Sequence, residues 1–187
     1  MKSILKFLIF SNLWVALCVL GLSLSSELLL VSDNFKVSQF VFCSTIFIYN
    51  FQRIIRLNNG DAHVRKAWFL KNKLVIYLFM LVSILFSVYY FLQFQNSTKL
   101  AIILIGVLSF FYPYVLRNIP YLKIFIISLV WTISTMLLLV IENNLSITQD
   151  ISLHLCCRFL FVFAITIPFD IRDLKYDFKK LRTIPLS

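Results

Sequence analysis

The chain has 187 residues, of which 60% are hydrophobic and 14% charged, against about 45–50% apolar and about 25% charged in an ordinary soluble domain. That balance excludes a soluble globular fold, and 20 Phe beside 3 Gly and 4 Pro leave too much apolar mass for disorder and too little turn chemistry for an all-β chain. The net charge of +10 therefore has to be read from where its cations fall along membrane helices, and nucleic acid is not needed to explain it.

In chain order, six apolar runs approach the roughly 20 residues that cross about 30 Å of hydrocarbon: 4–31, 37–51, 74–94, 100–116, 121–141 and 151–169. The first follows Lys2 and Lys6 and looks superficially like a secretory signal. It is longer than a typical apolar core of about 7–15 residues, so a retained anchor is expected. The second is short, but continues as helix through Asn50, Arg53 and Arg56 until Asn58-Asn59-Gly60 stops it. The expected fold is all-α: a polytopic transmembrane helical bundle of about six spans, forming a single transmembrane domain over residues 1–187.

Six spans place both termini on one side. Fifteen of the 18 Lys and Arg residues fall on that side; only Lys36 and Lys99 fall on the other, with Arg158 left inside the last span. By the positive-inside rule both termini are cytoplasmic. A guanidinium at mid-span costs about 2.5–3.5 kcal/mol on insertion scales, so Arg158 is expected to face the bundle, with Glu27 as a candidate partner. Cys18, Cys43, Cys156 and Cys157 lie inside apolar runs and read as small core residues. His154 and Cys157, at i and i+3, supply too few ligands for zinc.

The most informative stretch is the last, from Pro168 to Pro185. At about 100° per residue, Asp173 and Asp177 fall about −60° and −20° from Asp170, so one helical face carries three carboxylates. Arg172, Lys175 and Lys179 occupy the opposite face. Carboxylates at this spacing suit Mg²⁺ bridging to a diphosphate. A solvated helix end whose acids pair with nearby cations fits the same spacing. Asn50 and Arg53 also share a helical face. Two readings of Arg53 are open: a bidentate phosphate ligand, with Arg56 beside it, or a lock onto Asp173 or Asp177.

The segment Asp170-Ile171-Arg172-Asp173, then Asp177 and Lys179-Lys180-Leu181-Arg182-Thr183-Ile184-Pro185, resembles the second aspartate-rich motif of the UbiA superfamily of intramembrane prenyltransferases, particularly its MenA-like and short bacterial members. The family's first motif, Asn-Asp-x-x-Asp-x-x-x-Asp after the second helix, is matched only at Asn50; its aspartate positions hold Phe51, Ile54 and Asn58. The resemblance implies the first six of about nine helices of that fold. It also implies Mg²⁺ as cofactor on Asp170, Asp173 and Asp177 and a prenyl diphosphate as its ligand, with Asn50 facing them; Arg53 and Arg56 are candidates, from guanidinium chemistry, to hold the phosphate in place of the missing first-motif aspartates. The partners it implies are that diphosphate, a lipid-soluble aromatic or other acceptor, and membrane lipids, in a bacterial inner membrane. It assigns no catalytic residue. Two other classes fit the same chain: a non-catalytic scaffold or lipid-binding subunit, and a small transporter using Arg158 as an anion site.

Overall fold

The computed structural model describes residues 2–32, 34–58, 66–114 and 122–177; within these, the side chains of 2, 3, 56, 58, 66, 169, 170 and 172–177 lie outside the description. The chain divides into two compact units, residues 1–99 and 100–187. Among the described residues the secondary structure is helical, without strands.

The first unit opens with α1 (Lys2–Phe10) and α2 (Leu13–Leu29). They were expected as one span, but they meet at 73° across Ser11 and Asn12. Asn12 takes the left-handed conformation, at φ 63° and ψ 7°, which Asn tolerates better than most L residues because its short amide can bond locally. The break therefore falls where the apolar run is interrupted by two small polar residues.

α2 ends in a Schellman motif: Val31 N–H donates to Leu28 O (3.3 Å) and Ser32 N–H to Glu27 O (3.0 Å). The left-handed position is held by Val31 at φ 52°, where glycine is the usual residue. α3 (Lys36–Asn58) follows, and it continues past the apolar run to Asn58 as the sequence predicts. α4 (Lys66–Lys71) docks on α1 through Trp68, whose ring lies 5.9 Å from Phe7 and 5.5 Å from Phe10. α5 (Lys73–Gln93) packs along α3, with Phe40 of α3 edge-on to Phe94 just beyond its C-terminus. α6 (Asn96–Phe111) begins in this unit and ends in the next.

In the second unit, α7 (Leu122–Thr132), a π-helical turn (Ile133–Leu137) and α8 (Leu138–Glu142) run on as one segment. Ser128, Thr132 and Thr135 return their hydroxyls to the carbonyls of Ile124, Ser128 and Trp131 at 2.7–2.8 Å. Such back-bonding satisfies hydroxyls without water and bends helices; here it leads into the π turn. α9 (Gln149–Asp177) packs against α7, with the Phe125 and Phe163 rings 5.1 Å apart.

Lys73–Gln93, Leu122–Glu142 and Gln149–Pro168 are each long and apolar enough to cross a membrane, and the bent α1–α2 pair makes a fourth if it counts as one span. At 16 residues α6 is shorter, with a rise of about 24 Å against about 30 Å of hydrocarbon.

The distribution of polarity supports the membrane reading. In α5 the buried residues are Ile76, Ser83 and Ser87, whereas Leu81, Leu85 and Leu92 are more than half exposed. Water would penalise that arrangement. Lipid favours it, because small residues let helix backbones approach and leucine is at home against acyl chains.

The cysteines correct an expectation. Cys18, Cys156 and Cys157 are exposed and Cys43 is half-buried, so they are not core residues: the apolar runs that carry them present an apolar outer surface.

Candidate functional site

In the first unit, the polar end of α3 meets the α1–α2 break. Where α1 stops at Phe10, its last carbonyls lose their helical partners. Asn50 and Arg53, three residues apart on one face of α3, supply the missing donors. Arg53 Nη1 donates to Phe10 O and Nη2 to Asn12 Oδ1. Asn50 Nδ2 donates to Ser11 O at 3.1 Å and to Ile46 O at 2.9 Å, while its Oδ1 accepts from Asn12 Nδ2 at 3.0 Å. A guanidinium is electrostatically suited to this place, because the carbonyl end of a helix carries partial negative charge.

Asn50 is 1% and Arg53 5% exposed. Both hydrogens of the Asn50 amide are committed to backbone carbonyls. The two residues are thus brought together on one buried face, where they hold polypeptide. The side chain of Arg56 lies outside the described residues.

A second polar group lies nearer the other end of α2. Glu27 and Ser23, four residues apart, share a face, and Ser38 of α3 reaches them. Ser38 Oγ–H donates to Glu27 Oε1 at 2.9 Å, and the Ser23 and Ser38 oxygens are 2.8 Å apart. All three residues have zero exposure, and Glu27 Oε2 has no hydrogen-bond partner among the described residues.

In the second unit, Arg158 of α9 is half-buried and its Nη1 donates to Thr135 Oγ1, in the π turn, at 3.4 Å. Within their own units, Glu27 meets Ser38 and Arg158 meets Thr135.

α9 remains helical through Asp177. Its backbone keeps Asp170, Asp173 and Asp177 at i, i+3 and i+7, while their side chains lie outside the described residues. The Asn50–Arg53 face belongs to the first unit and the aspartates to the second.

The residues that sequence reasoning missed are Asn12, Ser23 and Ser38. The interruption Ser11-Asn12 inside an apolar run was a signal for the first. The serines gave none, because a serine inside an apolar run is compatible with either face of a membrane helix.

No protein-family model, curated protein or solved structure matches this chain.

Proposed function

We propose that the chain is a UbiA-like membrane prenyltransferase or a diverged relative, with about six spans and both termini cytoplasmic. It would bind a prenyl diphosphate beside Asp170, Asp173 and Asp177 and pass the prenyl group to a lipid-soluble acceptor. The resemblance of the closing motif motivates this reading. The observation that carries it is the unbroken helix of α9 as far as Asp177, which keeps three carboxylates at the spacing of one face.

Carboxylates are hard oxygen donors of the kind Mg²⁺ takes, so the donor set fits the metal, and Asp170, Asp173 and Asp177 are the residues that would hold it. When bound, Mg²⁺ supplies neutralisation of the diphosphate charge. The α3 side contributes differently. Asn50 and Arg53 hold the α1–α2 break, and Arg56 is left as the candidate direct phosphate ligand on that helix.

The test is release of inorganic pyrophosphate from a prenyl diphosphate by the full chain in nanodiscs. The reading predicts Mg²⁺-dependent release that Asp173→Ala abolishes; retained turnover in that variant would remove the proposed role of the aspartates. A scaffold or lipid-binding role is the second reading. It is favoured by the engagement of Asn50 and Arg53 with backbone and by the residues Phe51, Ile54 and Asn58 at the first motif's aspartate positions. It predicts a folded protein with no Mg²⁺-dependent response to prenyl diphosphate.

A further inference from the structure

We propose that Glu27, Ser23 and Ser38 form an internal binding site for a monovalent cation of the size and hardness of Na⁺. Each serine hydroxyl has one hydrogen and two lone pairs. The Ser38 hydrogen goes to Glu27 Oε1 at 2.9 Å, so the 2.8 Å contact between the two serines must use the Ser23 hydrogen, with Ser38 accepting. Both hydroxyl hydrogens are then directed inward along the chain Ser23 to Ser38 to Glu27. What the cluster has left is lone pairs only: those of Ser23, one on Ser38, one on Glu27 Oε1, and the Oε2 oxygen of Glu27, which has no hydrogen-bond partner among the described residues.

All three residues are fully buried, so water does not reach this cluster of acceptors in the structure. A carboxylate shares its charge between both oxygens, and burying it with one oxygen bare is strongly unfavourable. A cation beside Oε2 offsets that cost and uses the lone pairs of both hydroxyls.

The charge and donor types select the class of ion. One carboxylate balances one positive charge. Ca²⁺ takes 6–8 oxygens, commonly with several carboxylates, and Mg²⁺ demands a near-ideal octahedron; among the described residues no group of three or more His, Cys, Asp or Glu side chains is assembled. Carboxylate and hydroxyl oxygens are hard donors, which excludes a preference for soft metals. Arg53 does not serve as the counter-charge: it lies 15 residues from Ser38 along α3, about 22 Å of helix rise, and its guanidinium is engaged at Phe10 and Asn12. An ionisable residue inside a membrane helix is by default a functional-site hypothesis, and here its neighbours identify the ligand. This site does not depend on the prenyl-transfer reading.

The experiment is thermal unfolding of the full chain in detergent, in NaCl against choline chloride at equal ionic strength and pH. A site that binds only the folded protein raises the unfolding midpoint as the ion concentration passes its Kd. The proposal expects a midpoint that climbs with NaCl and not with choline chloride, a climb lost in Glu27→Gln and shifted to higher NaCl in Ser38→Ala. Equal midpoints in the two salts for the wild type overturn it. A sodium response that survives in Glu27→Gln overturns the placement. If Glu27→Gln does not fold, the wild-type comparison decides whether an ion binds, and an unshifted response in Ser38→Ala rejects this location.

Discussion

Replacing Asn50 by alanine tests whether the polar end of α3 exists to hold the broken first helix. Asn50 makes three hydrogen bonds from a position that is 1% exposed. The bond to Ile46 O duplicates a carbonyl already placed in a helix, so its loss matters little. The other two leave Asn12 Nδ2 and Ser11 O without partners at a buried helix break. An unsatisfied buried polar group costs about 1–3 kcal/mol. Two of them, with some relief from entering water, give an expected destabilisation of about 2–4 kcal/mol.

Unfolding in mixed micelles, followed by circular dichroism, would measure it. Asn12→Gly sharpens the test, because glycine keeps the left-handed backbone and removes only the amide. The double variant Asn12→Gly with Asn50→Ala should show a coupling of about 0.5–3 kcal/mol, as expected for residues in direct contact. A loss below about 0.5 kcal/mol for Asn50→Ala, additive with Asn12→Gly, would refute the lock.

Other predictions follow from single positions. Val31 is 86% exposed and sits at φ 52°, and an L residue in that region costs about 1–2 kcal/mol; Val31→Gly should therefore stabilise the protein by about 1 kcal/mol in the same unfolding assay, and a destabilised variant would contradict the strain argument. Ala16 on α2 has zero exposure, so Ala16→Leu should overpack the unit and cost about 1–3 kcal/mol, whereas Leu17→Ala at an exposed position should stay within about 0.5 kcal/mol. The exposed thiols of Cys18, Cys156 and Cys157 should react with a lipid-soluble maleimide faster than half-buried Cys43, as read by mass spectrometry of peptides; fastest labelling of Cys43 would contradict the orientation of α3.

Much of the helical framework was legible in the sequence because it rests on one-dimensional signals. The runs at 74–94, 121–141 and 151–169 correspond to α5, to the α7–α8 segment and to α9, since a long run of Leu, Ile, Phe and Val has no stable alternative to helix in lipid. The continuation of α3 to Asn58 followed from the stop signal Asn58-Asn59-Gly60.

The break at Ser11–Asn12 was harder to read, because averaging hydropathy over a 28-residue run dilutes two polar residues, and a left-handed Asn is fixed by its tertiary partners Asn50 and Arg53. The cysteines were misread through a rule of water-soluble cores: an apolar residue in a membrane helix can be satisfied on the outside. The facing of Asn50 and Arg53 onto one side was legible from helical spacing. What they face was not, since the Phe10 carbonyl becomes an acceptor only once α1 ends there. Likewise Glu27 was singled out only as a candidate partner for Arg158; its neighbour Ser38 lies on another helix and leaves no mark in the local pattern.

The proposed prenyl-diphosphate site rests on the aspartates of α9. Its most direct test is binding of radiolabelled farnesyl diphosphate to the full chain in nanodiscs, with Mg²⁺ and with excess chelator. A prenyl-diphosphate site on these aspartates predicts saturable binding that requires Mg²⁺ and disappears in Asp173→Asn while the helical circular dichroism is retained. A folded wild-type protein whose binding is the same with Mg²⁺ and with chelator, or is unchanged in Asp173→Asn, would contradict it.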